Sequence, residues 1–212
     1  MLAERIKIFF DLDGTIIDSK NRLYDLFVAL TGIDISFDEY WLIKKDMVSN
    51  EDILNRFLYT PDQIKSFRAN WMDKIEQPEY LNKDQKFTFT QDVLETLQSN
   101  NYELYLITAR QSKERVKVQL QDLDLLKYFK KLLVTEQKVK KQYLITQLDI
   151  KLSKNDFMVG DTGMDILTGK RIGVKTVAVL TGFRSKEQLL IYSPDFIYND
   201  ILEFSKNINS SK

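Results

Sequence analysis

Ile6-Lys7-Ile8-Phe9-Phe10-Asp11-Leu12-Asp13-Gly14-Thr15 is the stretch from which the rest of the chain is best read. An apolar run of strand length, Ile6–Phe10, stops abruptly at two carboxylates and a glycine. A short run of this kind, bounded by turn residues, fits a strand covered on both faces. Five further runs follow it, at Glu103–Ile107, Lys131–Val134, Phe157–Val159, Thr176–Leu180 and Phe196–Tyr198. Helical spacing lies between the later runs. Val93, Leu94 and Leu97 precede the second run, and Val116, Leu120 and Leu123 follow it. Leu144, Ile145 and Leu148 lie before the fourth, with Ile166 and Leu167 after it. Strands alternating with helices predict an α/β fold, a Rossmann-like parallel sheet flanked by helices.

The alternation lapses between the first run and the second. From about Ser19 to Phe87 the apolar residues take helical spacing: Leu23, Leu26, Phe27 and Leu30, then Ile53, Leu54, Phe57 and Leu58, then Ile64, Phe67 and Trp71. Thr60-Pro61-Asp62-Gln63 reads as a helix start, with Thr60 as N-cap, Pro61 first and Gln63 third. These features predict an all-helical insertion, residues 19–87, in an α/β core formed by 1–18 and 88–212. The final KNINSSK reads as a frayed end.

Composition narrows the chemistry. The 212 residues include no Cys and no His, which removes thiol nucleophiles, zinc ribbons, Ser–His triads and imidazole bases. Proton transfer then falls to carboxylates, Lys or Tyr, and any metal to oxygen ligands, as Mg²⁺, Ca²⁺ and Mn²⁺ prefer. The 31 basic side chains balance 31 acidic ones, which argues against nucleic acid as a partner. The apolar part of MLAERIKIFF is too short for a signal sequence, and no run reaches the length of a membrane span. A cytoplasmic location without membrane partners is therefore expected.

Four clusters carry the candidate chemistry. Asp11-Leu12-Asp13-Gly14-Thr15 reads either as a type I′ hairpin turn or as a functional loop at a strand end. A calcium loop fails, because its twelfth position is Arg22 rather than Glu. Gly160-Asp161-Thr162-Gly163-Met164-Asp165 follows the fourth run, where Asp161 could instead cap a helix. Parallel strands place Asp11, Asp13 and Asp161 at one sheet edge, the edge where open α/β sheets bind ligands. Carboxylates converging there call for a cation, and Mg²⁺ suits carboxylates combined with phosphate. Thr108-Ala109-Arg110 closes the second run, with Thr108 either a helix cap or, with nearby N–H groups, a phosphate contact. Among Lys138, Lys140 and Lys141, only Lys141 begins the stripe of Leu144, Ile145 and Leu148 that should face the sheet.

Asp11-Leu-Asp13-Gly-Thr15, Thr108, a lysine, and Gly160-Asp161 with Asp165, in that order, resemble the haloacid dehalogenase-like superfamily. Gly160–Phe183 and the following SPDFIYNDILEF are similar to its phosphoglycolate-phosphatase-like branch, and Asp18-Ser19 also fits. Two departures stand out: KVKKQYL replaces the Lys-Pro segment of many relatives, and Ala109-Arg110 replaces Asn followed by Lys or Gly. The second is expected to alter phosphate contacts only mildly. The resemblance implies an α/β core with a helical cap and a Mg²⁺-dependent phosphatase acting on small phosphorylated metabolites. It implies Asp11 as nucleophile and Asp13 as acid and base. Asp11, Asp161 and the Asp13 carbonyl would hold Mg²⁺, with Asp165 orienting that shell from behind. Thr108, the Ala109 amide and Lys141 would bind the phosphate.

Dehalogenation is disfavoured because Asp13 is present. A phosphomutase would need a basic cap residue such as Lys44 or Lys45, and a non-catalytic regulatory protein with a vestigial site is the rival of another class. Residues 19–88 carry 10 basic and 12 acidic side chains, so no polyanion surface is expected there. Tyr40, Trp41, Tyr59 and Trp71 are candidates for lining a substrate pocket, although aromatics at helical spacing are more often core.

Overall fold

The computed structural model describes residues 5–209. The first strand, β1 (Lys7–Phe10), is buried along its whole length, with Ile8 and Phe10 against one layer of side chains and Phe9 against the other. It leads through the Asp11–Ile16 loop to a two-residue strand, β2 (Ile17–Asp18). Five helices follow: α1 (Lys20–Thr31), α2 (Phe37–Lys45), α3 (Asn50–Arg56), α4 (Pro61–Lys74) and α5 (Pro78–Leu81). A second short strand, β3 (Gln85–Lys86), pairs antiparallel with β2 and returns the chain to the sheet. The segment expected to be all-helical therefore ends in half of a ribbon. Its two ends are clamped side by side, which a purely helical insertion would not provide.

The remaining elements alternate: α6 (Thr90–Ser99), β4 (Glu103–Thr108), α7 (Lys113–Asp122), β5 (Lys131–Val134), α8 (Lys141–Thr146), β6 (Phe157–Gly160), α9 (Gly163–Ile172), β7 (Lys175–Val179), α10 (Lys186–Leu190), β8 (Phe196–Tyr198) and α11 (Ile201–Asn209). All six long-sheet strands are parallel, in the order β5-β4-β1-β6-β7-β8. The chain runs outward from β1 to β4 and β5, then crosses to β6 on the other side. The carboxyl end of β1 is thus the switch point of the sheet. All six predicted strands occur, the fifth shifted back by one residue. Leu148 lies just past α8, which stops at Thr146.

Val93, Leu94, Leu97, Val116, Leu120 and Phe204 cover one face of the sheet, while Ile145 and Val174 help to cover the other. The predicted fraying of KNINSSK is corrected over Lys206–Asn209, which continue α11; residues 210–212 lie outside the described part. That helix persists because Ile201 and Phe204 are buried against the sheet.

Helices α1–α4 build a separate apolar cluster around Phe27, Tyr40, Ile53, Leu54 and Phe67. Burying each such large side chain contributes about 1.5–3 kcal/mol. Thr60 caps α4 in a reciprocal box with Gln63, and Pro61 takes the first position, as the sequence predicts. Phe57 and Leu58 fall outside this cluster's core. The chain leaves the helix at Phe57, Leu58 turns at φ 59°, and both side chains are exposed.

Candidate active site

The Asp11–Ile16 loop is wound around one carbonyl. Leu12 buries its side chain completely, and its oxygen accepts N–H bonds from Thr15, Ile16 and Ile17. Gly14 turns at φ 76°, and a Cβ there would lie 2.7 Å from Asp161 Oδ2. β1 pairs with β4 and β6, not with the strand after this loop, so the hairpin alternative does not apply.

Asp11 directly follows β1 and Asp161 directly follows β6. Single carboxylate oxygens of Asp11, Asp161 and Asp165 lie within 4.8 Å of one another. Lys141, the first residue of α8, bridges two of them, donating from Nζ to Asp11 Oδ1 at 2.5 Å and Asp165 Oδ1 at 2.7 Å. Asp165 Oδ2 accepts from the Thr162 N–H and hydroxyl, so both its oxygens are engaged. Thr162, not Asp161, is the N-cap of α9. Asp161 Oδ2 accepts from the Phe183 N–H at 2.9 Å, whereas its Oδ1 is buried without a hydrogen-bond partner. That orphaned oxygen, beside Asp11 and backed by a fully engaged Asp165, fits a hard cation of the Mg²⁺ type. Lys138 and Lys140 are exposed, and Lys138 pairs with Glu136 instead.

Burial and the neighbouring charges follow from this arrangement. Desolvation, reinforced by the Asp165 charge, pushes the Asp11 carboxyl up to about 7 despite the opposing pull of Lys141. Asp161 is raised well above the usual carboxylate range by burial and by Asp11 and Asp165. Lys141 is buried, which disfavours its charge, but Asp11 and Asp165 outweigh this and raise it above an ordinary lysine.

Asp13 is in a different setting. Arg110 Nε and Nη2 meet its two oxygens at 2.6 and 2.7 Å, and Arg22 Nη2 adds a bond to Oδ1 at 2.5 Å. Both arginines also reach buried Asp84, at 2.9 Å each, and Gln119 Nε2 completes that carboxylate. Burial disfavours an Asp13 charge, yet the two guanidiniums prevail and hold its carboxyl far below the usual range. Arg110 thus points to Asp13, a larger consequence of the Ala109-Arg110 departure than the mild change in phosphate contacts expected from sequence. No local sequence pattern ties Arg22 or Asp84 to Asp13, so only the fold marks them as site residues.

Thr108 ends β4, buried, and Ser112 rather than Thr108 caps α7. Ala109 beside it is exposed. A cavity of about 340 Å³ is lined by Asp11, Asp13, Thr108, Ala109, Lys141 and Asp161 at one end. Its other walls come from α1, from α4 and the turn after it, from the start of α9, and from the loops holding Gln137 and Phe183. Trp71 lines it. Tyr40 and Trp41 are instead core residues of the helical cluster, and Tyr59 packs against that cluster. Trp41 stacks on Phe183 at 5.3 Å, joining the helical segment to the sheet side. Lys44 bonds to Asn50, and neither Lys44 nor Lys45 lines the cavity.

Pyrophosphatase PpaX of Oceanobacillus iheyensis is 25% identical over 218 residues, spanning 96% of this chain and 97% of that protein. The haloacid dehalogenase-like family protein SP0104 from Streptococcus pneumoniae superposes with a TM-score of 0.74 at 25% identity, over 96% of this chain and 98% of that one. A structure described as a predicted phosphoglycolate phosphatase from Haemophilus somnus shares the fold, with a TM-score of 0.75 at 19% identity and full coverage of both chains. The family model for haloacid dehalogenase-like hydrolases matches residues 8–179, from β1 to the end of β7, and the chain belongs to that family.

Proposed function

We propose that the chain is a Mg²⁺-dependent phosphatase that hydrolyses small phosphate monoesters through an aspartyl-phosphate. The observation carrying this reading is that Asp11, Asp161, Thr108 and Lys141, from four different elements, meet at the switch point of the sheet in one cavity. Residues 1–18 and 88–212 form the catalytic core in this reading, and 19–87 the cap that roofs it. Asp11, Asp161 and the Asp13 carbonyl hold the metal, and Asp165 positions it. When bound, Mg²⁺ offsets the charge between nucleophile and phosphate.

An Asp11 oxygen attacks phosphorus as the bond to the leaving oxygen breaks, and water later releases phosphate from the acyl-phosphate. Lys141, the Thr108 hydroxyl and the Ala109 N–H stabilise charge on the transferring group. Lys141 has to pass from Asp11 to a phosphate oxygen as the substrate enters. Asp13 protonates the leaving oxygen and afterwards takes a proton from water. With both oxygens in guanidinium forks Asp13 is ionised, the form that accepts a proton. Donation requires Asp13 first to take a proton from solvent on an oxygen released by Arg110, which holds both oxygens; displacing Arg22 with α1 weakens only the hold on Oδ1. A cap that closes over the cavity suits dissolved metabolites rather than polymers.

The test is phosphate release from p-nitrophenyl phosphate with Mg²⁺. Activity that EDTA abolishes and Asp11→Asn eliminates supports the reading. An inert wild-type protein, or an active Asp11→Asn variant, overturns it.

A further inference from the structure

We propose, resting on the phosphatase reading above, that the cavity selects monoesters with an uncharged, apolar leaving alcohol over pyrophosphate or esters bearing a second anion. Beyond the phosphate end, its walls are chiefly the apolar Leu23, Trp71, Met72, Ile75, Met164 and Phe183, with Gln137 an uncharged polar side chain at the rim. The apolar side chains come from α1, from α4 and the turn after it, from the start of α9 and from the loop before α10, so cap and core both contribute. The one acidic group in these walls, Glu76, is buried and anchored, its oxygens accepting from the Gln111 N–H at 2.6 Å and the Ser112 N–H at 3.2 Å.

The cations of this cavity, among the described residues, are Arg22, Arg110 and Lys141. Each already bonds to two carboxylates: the arginines to Asp13 and Asp84, the lysine to Asp11 and Asp165. Arg110 keeps a buried Nη1 without a partner, which can bond to an ester or hydroxyl oxygen. The charge of Arg110 is nevertheless committed. The three cations are outnumbered by Asp11, Asp13, Glu76, Asp84, Asp161 and Asp165. A Mg²⁺ ion and the scissile phosphate use what positive charge can be added. A second phosphate or carboxylate would then find only the Arg110 Nη1 donor, on a guanidinium whose charge Asp13 and Asp84 already offset, against apolar walls and beside Glu76, which is costly. An alkyl or aryl body in the same place releases water from those walls, a gain of up to about fourfold per methylene. The cavity is of the size that accepts a small ligand of this kind.

Initial rates with Mg²⁺ on methyl, butyl and hexyl phosphate, phosphoglycolate and inorganic pyrophosphate test the proposal. Alkyl leaving groups differ little in intrinsic reactivity, so the trend along the series reports the pocket. kcat/KM is expected to rise at least about tenfold from methyl to hexyl phosphate, and hexyl phosphate to surpass both anionic substrates. Trp71→Ala and the more exposed Met72→Ala should each lower the hexyl-to-methyl ratio several-fold. A flat series, an unchanged ratio in both variants, or faster turnover of pyrophosphate or phosphoglycolate overturns the assignment. Calorimetric titration with hexylphosphonate, methylphosphonate and methylenediphosphonate examines the pocket without turnover. If no ester is hydrolysed but hexylphosphonate still binds most tightly, the phosphatase reading fails and the apolar pocket stands. Equal binding, or preference for the diphosphonate, removes the pocket assignment itself.

Discussion

Arg110 grips Asp13 through both carboxylate oxygens, Nε to Oδ2 at 2.6 Å and Nη2 to Oδ1 at 2.7 Å. The same guanidinium reaches Asp84 at 2.9 Å, and Arg22 mirrors it from α1. Four buried or half-buried charges thus form one closed network joining the first motif to the helical segment. Removing one member leaves the others under-compensated at low dielectric. Arg110→Ala is expected to cost about 3–5 kcal/mol of stability, read by chemical denaturation. Asp13 also loses its fixed orientation, and a misplacement on the scale of 1 Å costs about 100-fold in rate. Arg110→Lys should recover only part of either loss, because an ammonium cannot span both oxygens as the planar fork does. Equal stability and kcat/KM in Arg110→Ala and wild type would show the network to be idle.

Metal and pH should be coupled. Asp11, pushed up to about 7, and Asp161, raised well above the ordinary range, both hold protons in the folded metal-free protein at pH values where the unfolded chain has lost them. The folded state binds more protons than the unfolded one from about pH 4 to about 7. The contribution of these groups to stability therefore falls as pH rises through that window. Mg²⁺ requires the ionised carboxylates, so its stabilisation should grow over the same interval. At one hundred times its dissociation constant the ion adds about 2.7 kcal/mol, or roughly 5–10 °C in Tm for a chain of this size. Thermal melts with and without Mg²⁺ should show a larger shift at pH 8 than at pH 5. The opposite order would mean that Asp11 and Asp161 are not the ligands.

Gly182 carries no local sequence signal of a site role, yet it sets the position of Asp161. A Cβ at 182 would lie 1.9 Å from Asp161 Oδ2, an impossible approach, whereas most of the loop from Leu180 to Ser185 is only half-buried. Gly182→Ala should leave the sheet and its melting cooperativity intact while turning Asp161 away from Asp11. The expected result is a loss of Mg²⁺ affinity of about 10- to 100-fold, the size seen when groups supporting a metal ligand are changed. Titration of the Mg²⁺-dependent rate, or of the Mg²⁺-induced Tm shift, would measure it.

What was legible in the sequence is what local pattern encodes. An apolar run followed at once by Asp11 marks a buried strand and its carboxyl end, and Phe157–Val159 before Gly160-Asp161 does the same. Parallel pairing then brings the two ends together without further information. Lys141 could be picked from three lysines because helical period alone tells which one begins the stripe facing the sheet. The Asp13–Arg110–Asp84–Arg22 network could not be read this way. Its members pair across up to 97 residues and share no period, so only the folded chain brings them together. β3 escaped for a related reason, since two exposed residues pairing with β2 carry no apolar signal. Leu58 misled in the opposite sense, being apolar at helical spacing but placed on a left-handed turn in solvent.

Lys141 gives the sharpest contrast within the site. It is nearly enclosed and bonded to Asp11 and Asp165, while Lys138, three residues earlier, lies in solvent with Glu136. Lys141→Met keeps much of the side chain's length and removes only the charge and its donors. Asp11, Asp161 and Asp165 would then repel one another with no cation between them, and Asp11, the nucleophile in the proposed mechanism, would hold its proton to higher pH. The transferring phosphoryl group would also lose its main cationic partner from the chain. Losing one such stabilising donor costs about 100- to 1000-fold in kcat, so a fall of at least that size is expected in Lys141→Met. Lys138→Met should retain the wild-type rate, since an exposed ion pair contributes at most about 1 kcal/mol to stability and does not touch the cavity. Because Mg²⁺ competes for the same carboxylates, Lys141→Met should bind the ion at least as tightly as wild type even while turnover collapses. Steady-state kinetics alongside a Mg²⁺ titration of both variants checks this. A loss of Mg²⁺ binding equal to the loss of rate would instead make Lys141 a structural support of the acidic cluster, with no part in phosphoryl transfer.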